Sequence, residues 1–228
     1  MQTIADRLLF AHKLIAQSLD SSHRPAKSVK LLAVSKTKPV SDLQQAYAAG
    51  QRLFGENYVQ EGVEKVQALE SLTDIEWHFI GPIQSNKTKL VAEHFDWVQS
   101  IDRLKIAQRL SNQRPTNKPP INICIQINID DESSKSGILV DQVDALAAQV
   151  AALPNLSLRG LMAIPSASKD DHQLSESLET MKSLFDNLKT QYSSIDTLSM
   201  GMSKDLPIAI AAGSTMVRIG TAIFGPRD

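Results

Sequence analysis

A lysine closes the first apolar run of the chain. Residues 29–34 read VKLLAV and lead into the polar turn Ser35-Lys36-Thr37-Lys38-Pro39. At the end of a buried strand an ammonium loses part of its water, which favours the neutral amine. A neutral amine on a rigid element attacks a carbonyl carbon and forms a Schiff base. The plainer reading is a lysine whose stem lies along apolar surface while its charge sits in solvent. Far downstream, Met200-Gly201-Met202-Ser203 and Arg218-Ile219-Gly220-Thr221 have the composition of an anion cradle. Glycine lets a backbone approach an anion closely, and peptide N–H groups and hydroxyls can wrap its oxygens. Ser203 is expected to open a short helix, whose positive end also favours negative charge. Arg218 lies between Val217 and Ile219, so its permanently charged side chain is expected to point into the interior. The competing readings are Ser203 as a plain helix cap, Gly220 as a plain turn, and Arg218 in an ion pair with Glu56 or Asp102.

An amine facing a phosphate cradle suits a phosphorylated carbonyl compound, either a sugar phosphate or pyridoxal 5′-phosphate (PLP). Arg218 favours the second. Facing a pyridine nitrogen it would donate a hydrogen bond and keep that nitrogen unprotonated, and PLP proteins tune the ring through such an Asp or Arg partner.

These groups meet only if the elements that carry them converge. The first helical face holds Ile4, Leu8, Ala11, Ile15 and Leu19. Strand-like runs follow at 29–35, 52–55, 75–80, 97–101, 121–127, 158–164, 195–200 and 216–219. Helical patterns separate them: one capped near Ser41-Asp42 and ending at Gly50, one on Val59, Val63, Val66 and Leu69, and one over 84–93. Leu104, Ala107 and Leu110 mark the next, and Val140 to Val150 another, stopped near Pro154. A long amphipathic helix carries Leu174, Leu178, Met181, Phe185 and Leu188, and a short one spans 206–212. Alternation of this kind implies parallel strands joined by right-handed crossovers. Eight such units after a leading helix predict an α/β fold: a (β/α)8 TIM barrel with an extra N-terminal helix. An open doubly wound sheet is the alternative, but no Gly-x-Gly-x-x-Gly follows the first strand.

In a barrel the active face lies at the C-terminal ends of the strands. Those ends carry Lys36; Glu56 and Asn57; Gln84, Asn86 and Lys87; Asp102; Asn128 and Lys135; Pro165 and Ser166; Gly201 and Ser203; and Arg218, Gly220 and Thr221. The expectation is that all of them face one mouth. Barrels frequently bind phosphate with the loops after strands 7 and 8, where Ser203, Gly220 and Thr221 fall.

The 228 residues suit one domain, expected over 1–228. A net charge of −1 without a dense basic run argues against nucleic acid or an anionic membrane as partner. The single cysteine, Cys124, lies in the apolar run INICIQI and reads as a small buried hydrophobe. No Cys/His cluster has metal-ligand spacing. The N-terminal residues lack the uninterrupted apolar stretch of a signal peptide, and a cytoplasmic protein is expected.

Several motifs in order resemble one family. AVSKTKP at 33–39, GENYVQE at 55–61, WHFIGPIQSNK at 77–87, SMGMSKD at 199–205 and GSTMVRIGTAIFG at 213–225 are similar to the pyridoxal phosphate homeostasis proteins. These are relatives of the alanine racemase barrel, and the resemblance covers essentially the whole chain. It implies that Lys36 forms the internal aldimine with PLP and that Arg218 faces the pyridine nitrogen. It implies further that Ser203, Gly220 and Thr221 hold the phosphate, and that Asn57 and His78 flank the ring. The implied role is to buffer or deliver PLP, with PLP-dependent apo-enzymes as recipients and a monomer as the expected state. The alternatives are a weak PLP-dependent amino-acid racemase or a Schiff-base aldolase on a sugar phosphate. Against a racemase, the chain ends at Asp228, after the eighth strand, where the racemases continue into a second domain that supplies a tyrosine base. Tyr47, Tyr58 and Tyr192 are expected in helices. For relay of PLP away from Lys36 the candidates are Lys38, Lys87, Lys135 and Lys204.

Overall fold

Thr3 starts the first helix. In the computed structural model, which describes residues 2–132, 135–166 and 169–226, its hydroxyl accepts from the Asp6 N–H at 3.1 Å. The Asp6 carboxylate accepts from the Thr3 N–H at 2.9 Å, which satisfies two amides that a helix start leaves bare. Helix α1 then runs Ile4–Ser21 and buries Ile4, Leu8, Ala11, Ile15 and Leu19, the predicted face. The succession continues as β1 Lys30–Val34, α2 Val40–Ala48, β2 Leu53–Glu56, α3 Val59–Ala68, β3 Glu76–Phe79, α4 Thr88–His94, β4 Trp97–Ile101 and α5 Leu104–Gln113. It closes with β5 Ile121–Ile127, α6 Val143–Ala151, β6 Leu156–Ala163, α7 Asp171–Gln191, β7 Thr197–Ser199, α8 Leu206–Ala211, β8 Met216–Ile219 and α9 Thr221–Phe224.

The strands pair in chain order, each parallel to the next, and β8 returns to β1. The result is a closed barrel of the (β/α)8 type, as the alternation predicts, and the open sheet is excluded. Closure removes every exposed edge. The main apolar core fills the ring between strands and helices, and α1 packs on α2, α8 and α9. A small separate cluster of buried residues, Trp97, Cys124 and Met162, packs apart from that core. Cys124 is fully buried there, and burial raises its thiol well above the usual range, so it stays protonated.

Several local expectations change. Pro39, rather than Ser41 or Asp42, occupies the cap position of α2. The helical patterns at 84–93 and 140–150 each begin with a 3₁₀ turn, Ser85–Lys87 and Val140–Gln142. Ser203 lies in the turn before α8 and does not open it, because Asp205 takes the cap position. Tyr58 and Tyr192 are cap residues of α3 and α7, and only Tyr47 lies within a helix. Among the described residues no helix is long and apolar enough to cross a membrane.

Candidate functional site

At the C-terminal ends of the strands lies a cavity of about 660 Å³. Lys36, Asn57, Ser203, Arg218, Gly220 and Thr221 all line it. Six of the seven predicted site residues therefore meet in one place, drawn from the loops after β1, β2 and β7, from β8 itself, and from the start of α9. Apolar surface from Val34, Ile80, Met162 and Ile164 completes the wall.

His78 is the residue that does not meet the others. It is fully buried and faces the barrel interior below Ile80, because alternate residues of an extended β3 share a face. Its ring stacks on Trp97 with centroids 5.0 Å apart. Its place is therefore beneath the cavity floor.

The wider polar inventory also divides. Glu56 precedes Asn57, so strand alternation turns it outward, away from the mouth. There it meets Lys65, whose ammonium donates to Glu56 Oε1 at 2.9 Å, to Glu61 Oε1 at 2.6 Å and to the Ser35 carbonyl at 2.7 Å. Ser35 Oγ donates to the same Glu56 oxygen at 2.6 Å. Burial pushes the Glu56 carboxyl above its ordinary pKa, against the pull of Lys65 and Ser35. These contacts brace the turn that carries Lys36. Thr37, the next residue, sits at φ 63°, a strained conformation for a β-branched side chain, and its N–H donates to Glu61 Oε1 at 2.6 Å.

Gln84, Asn86, Lys87, Asp102, Asn128, Lys135 and Gly201 do not line the cavity, which is bounded chiefly by β1, β2, β6, β7, β8 and their loops. Asp102 pairs with its neighbour Arg103 at 2.6 Å, and Lys135 with Asp130 at 3.0 Å. Of the four candidate relay lysines, Lys38 and Lys204 line the cavity and Lys87 and Lys135 do not. Lys169, which no sequence signal singled out, lines it as well and pairs with Asp130.

Arg218 is 4% exposed and makes no ion pair with Glu56 or Asp102. Its Nη1 donates to the Ser199 carbonyl at 2.8 Å and to Ser199 Oγ at 2.7 Å, and Nη2 donates to the Ala163 carbonyl at 2.8 Å. Burial lowers its pKa to about 10, which leaves it protonated at neutral pH. A guanidinium carries five N–H donors, so Nε and the second Nη2 hydrogen remain for a ligand acceptor.

Two further observations fit a flat polar ligand with a phosphate. Asn57 Oδ1 is buried without a hydrogen-bond partner among the described residues. At Gly220 an added Cβ would stand 3.2 Å from the Val34 carbonyl, a close approach that glycine makes without displacing β1. Behind Asn57, Gly81 presses even closer: a Cβ there would lie 2.2 Å from the Asn57 carbonyl. The chain's own residues thus suit PLP: an amine for its aldehyde, a donor for its ring nitrogen, and amides and hydroxyls for its phosphate.

Comparison with known proteins agrees with this arrangement. The family described as alanine racemase, N-terminal domain, matches residues 15–228. A curated relative from Escherichia coli (strain K12), a pyridoxal phosphate homeostasis protein, is 57% identical over 100% of this chain and 98% of its own length. Among solved structures, PipY of Synechococcus elongatus with PLP bound superposes at a TM-score of 0.79, with 36% identity over 92% of this chain and 100% of that one. Alanine racemase from Corynebacterium glutamicum shares the fold, at a TM-score of 0.72 and 15% identity, over 97% of this chain and 62% of that one. The chain belongs to the pyridoxal phosphate homeostasis protein family, built on the barrel of the alanine racemase N-terminal domain.

Proposed function

We infer that the protein binds PLP and serves its intracellular homeostasis, buffering the cofactor or delivering it to PLP-dependent apo-enzymes. The observation that carries this reading is the gathering of Lys36, Arg218, Asn57, Ser203, Gly220 and Thr221 around one cavity. The PLP-bound relative and the name of the Escherichia coli protein support it. When bound, PLP supplies an aldehyde carbon that accepts an amine. Lys36 would hold the cofactor through that carbon, its Nζ being the amine the loop after β1 brings to the cavity. Arg218 would direct a donor at the ring nitrogen, while Ser203, Gly220 and Thr221 would hold the phosphate oxygens. Asn57 offers its unpartnered oxygen to the ring edge. Lys38 and Lys204 stand at the mouth as amines to which PLP can be passed.

Carriage is favoured over turnover by two features. A guanidinium at the ring nitrogen keeps that nitrogen unprotonated, which makes the ring a weaker electron sink. Tyr47, Tyr58 and Tyr192 all lie outside the cavity lining, so none is placed as a base on the substrate carbon. We expect a cytoplasmic monomer acting as a single PLP-binding unit over 1–228, without efficient racemase or aldolase activity.

Borohydride reduction of the PLP-loaded protein followed by peptide mass mapping tests both ligand and residue. The adduct is expected on Lys36, and the absorbance of the loaded protein is expected to vanish in Lys36→Ala. An adduct on Lys38 or Lys204 refutes the site assignment, and a protein that takes up no PLP refutes the function. Enantiomer-resolved assays against a panel of amino acids are expected to show no turnover at ordinary enzyme rates.

A further inference from the structure

A polar column runs down the middle of the barrel, beneath the cavity. Arg218 Nη1 donates to Ser199 Oγ at 2.7 Å, and Ser199 Oγ donates to Gln99 Oε1 at 2.6 Å. Gln99 Nε2 lies 2.9 Å from His78 Nδ1, and His78 Nε2 lies 2.9 Å from Glu76 Oε1. Ser199, Gln99 and His78 are each 0% exposed, whereas the Glu76 side chain is 35% exposed at the opposite end. The links cross from β8 through β7 and β4 to β3.

With the amide turned as found and His78 neutral, the bonds take one set of directions. A guanidinium has no acceptor, so Ser199 Oγ accepts from it and has one proton left to give. That proton goes to Gln99 Oε1, which turns the amide so that Nε2 faces His78 and Met216 Sδ. His78 Nδ1 must then accept, and its proton resides on Nε2, where the Glu76 carboxylate takes it. Burial favours the neutral imidazole that this arrangement needs. The other neutral tautomer would set the His78 Nδ1 proton against Gln99 Nε2–H and a bare Nε2 against the Glu76 carboxylate.

The geometry points to His78, Gln99 and Ser199 as positioning residues for Arg218, a column whose bond directions depend on the His78 tautomer and which holds the guanidinium in the one orientation that would meet the ring nitrogen of bound PLP. This rests on the assignment of Arg218 to that nitrogen. His78 thus serves the ligand through a chain of bonds instead of touching it.

The first test needs neither ligand nor substitution. In the full chain labelled with ¹⁵N-histidine, His78 is expected to show an unprotonated Nδ1 and a protonated Nε2 near neutral pH. The opposite tautomer, or an imidazolium, overturns the proposal. The second test loads PLP labelled with ¹⁵N in its ring. In His78→Leu and Gln99→Met the ring-nitrogen resonance is expected to move toward that of PLP lacking a donor, and PLP affinity to fall on the order of tenfold. His78→Asn, whose side-chain oxygen accepts from Gln99, is expected to recover both. Folded variants with altered melting temperature but an unmoved ring-nitrogen resonance would reduce the column to a structural filler and overturn the proposal. Wild-type protein that takes up no PLP sinks the ligand assignment itself, and the proposal falls with it.

Discussion

Lys36 depends on Lys65. The second lysine is 4% exposed and ties the Ser35 carbonyl, Glu56 and Glu61 together directly behind the turn that presents the first. Removing one partner of a buried charge cluster leaves the others uncompensated, so Lys65→Met should destabilise the fold by roughly 3 kcal/mol. Thermal unfolding measures that loss, and the rate of borohydride-trappable PLP uptake at Lys36 should drop with it. Glu56 and Asn57 read identically as strand-end polar residues in the sequence, and only the pleat separates the brace from the ligand wall. His78 makes the same point from the opposite direction. The family pattern associates it with the ring, yet its position within β3 places it a layer too deep. Gln99 and Ser199 left a faint trace in the sequence, as polar residues within the buried strands WVQSI and TLS. Their partners are set by barrel closure, which no local pattern reveals. Burial holds the His78 pKa below 6.5, although Glu76 and Asp96 pull it upward and Lys30 adds to the lowering. The unfolded chain therefore binds a proton as pH falls below 6.5 that the folded chain refuses. The stability contributed by neutral His78 is present above that pH and lost below it, at up to about 1.4 kcal/mol per pH unit. Denaturant titrations at several pH values should show this slope in the wild type and its absence in His78→Asn.

At the scale of elements, the strand pattern of the chain was legible because barrel strands are apolar on both faces and short. β4, β5 and β8 fall where the apolar runs place them. The ends of β6 and β7 do not, and the register between β5 and β6 shifts near Arg159 and Gly160. There Gly160 adopts φ 154° with a Cβ position only 1.7 Å from the Thr197 carbonyl, a contact created by a neighbouring strand and invisible to local reading. The four-residue helix α9 was also missed, being too short to show a helical period. Gly81 is the element contact with the most direct bearing on the ligand, because it seats the backbone of Asn57 against the loop after β3. Gly81→Ala should force the two backbones apart, costing about 2–3 kcal/mol of stability and weakening PLP binding. Chemical denaturation and PLP titration test the two effects separately. An alanine variant with wild-type affinity would show that Asn57 tolerates displacement.

The whole molecule places its anchors unevenly. β7, β8 and β1 are consecutive around the barrel and carry the proposed phosphate cradle, Arg218 and the turn of Lys36. Among the described residues most of the loops after β3, β4 and β5 stand back from the cavity, so on the proposed assignment the contacts to PLP would gather on one side. A carrier built this way needs no hinge. On the proposed reading the step that frees the cargo would be the exchange of one amine for another at the aldehyde carbon. Release is then a chemical clock, set by the concentration of the incoming amine and not by a motion of the protein. Stopped-flow release with increasing aminooxy or amino-acid acceptor should give rates that climb linearly without a plateau. A plateau independent of acceptor would reveal a gate that this half-open grip does not require.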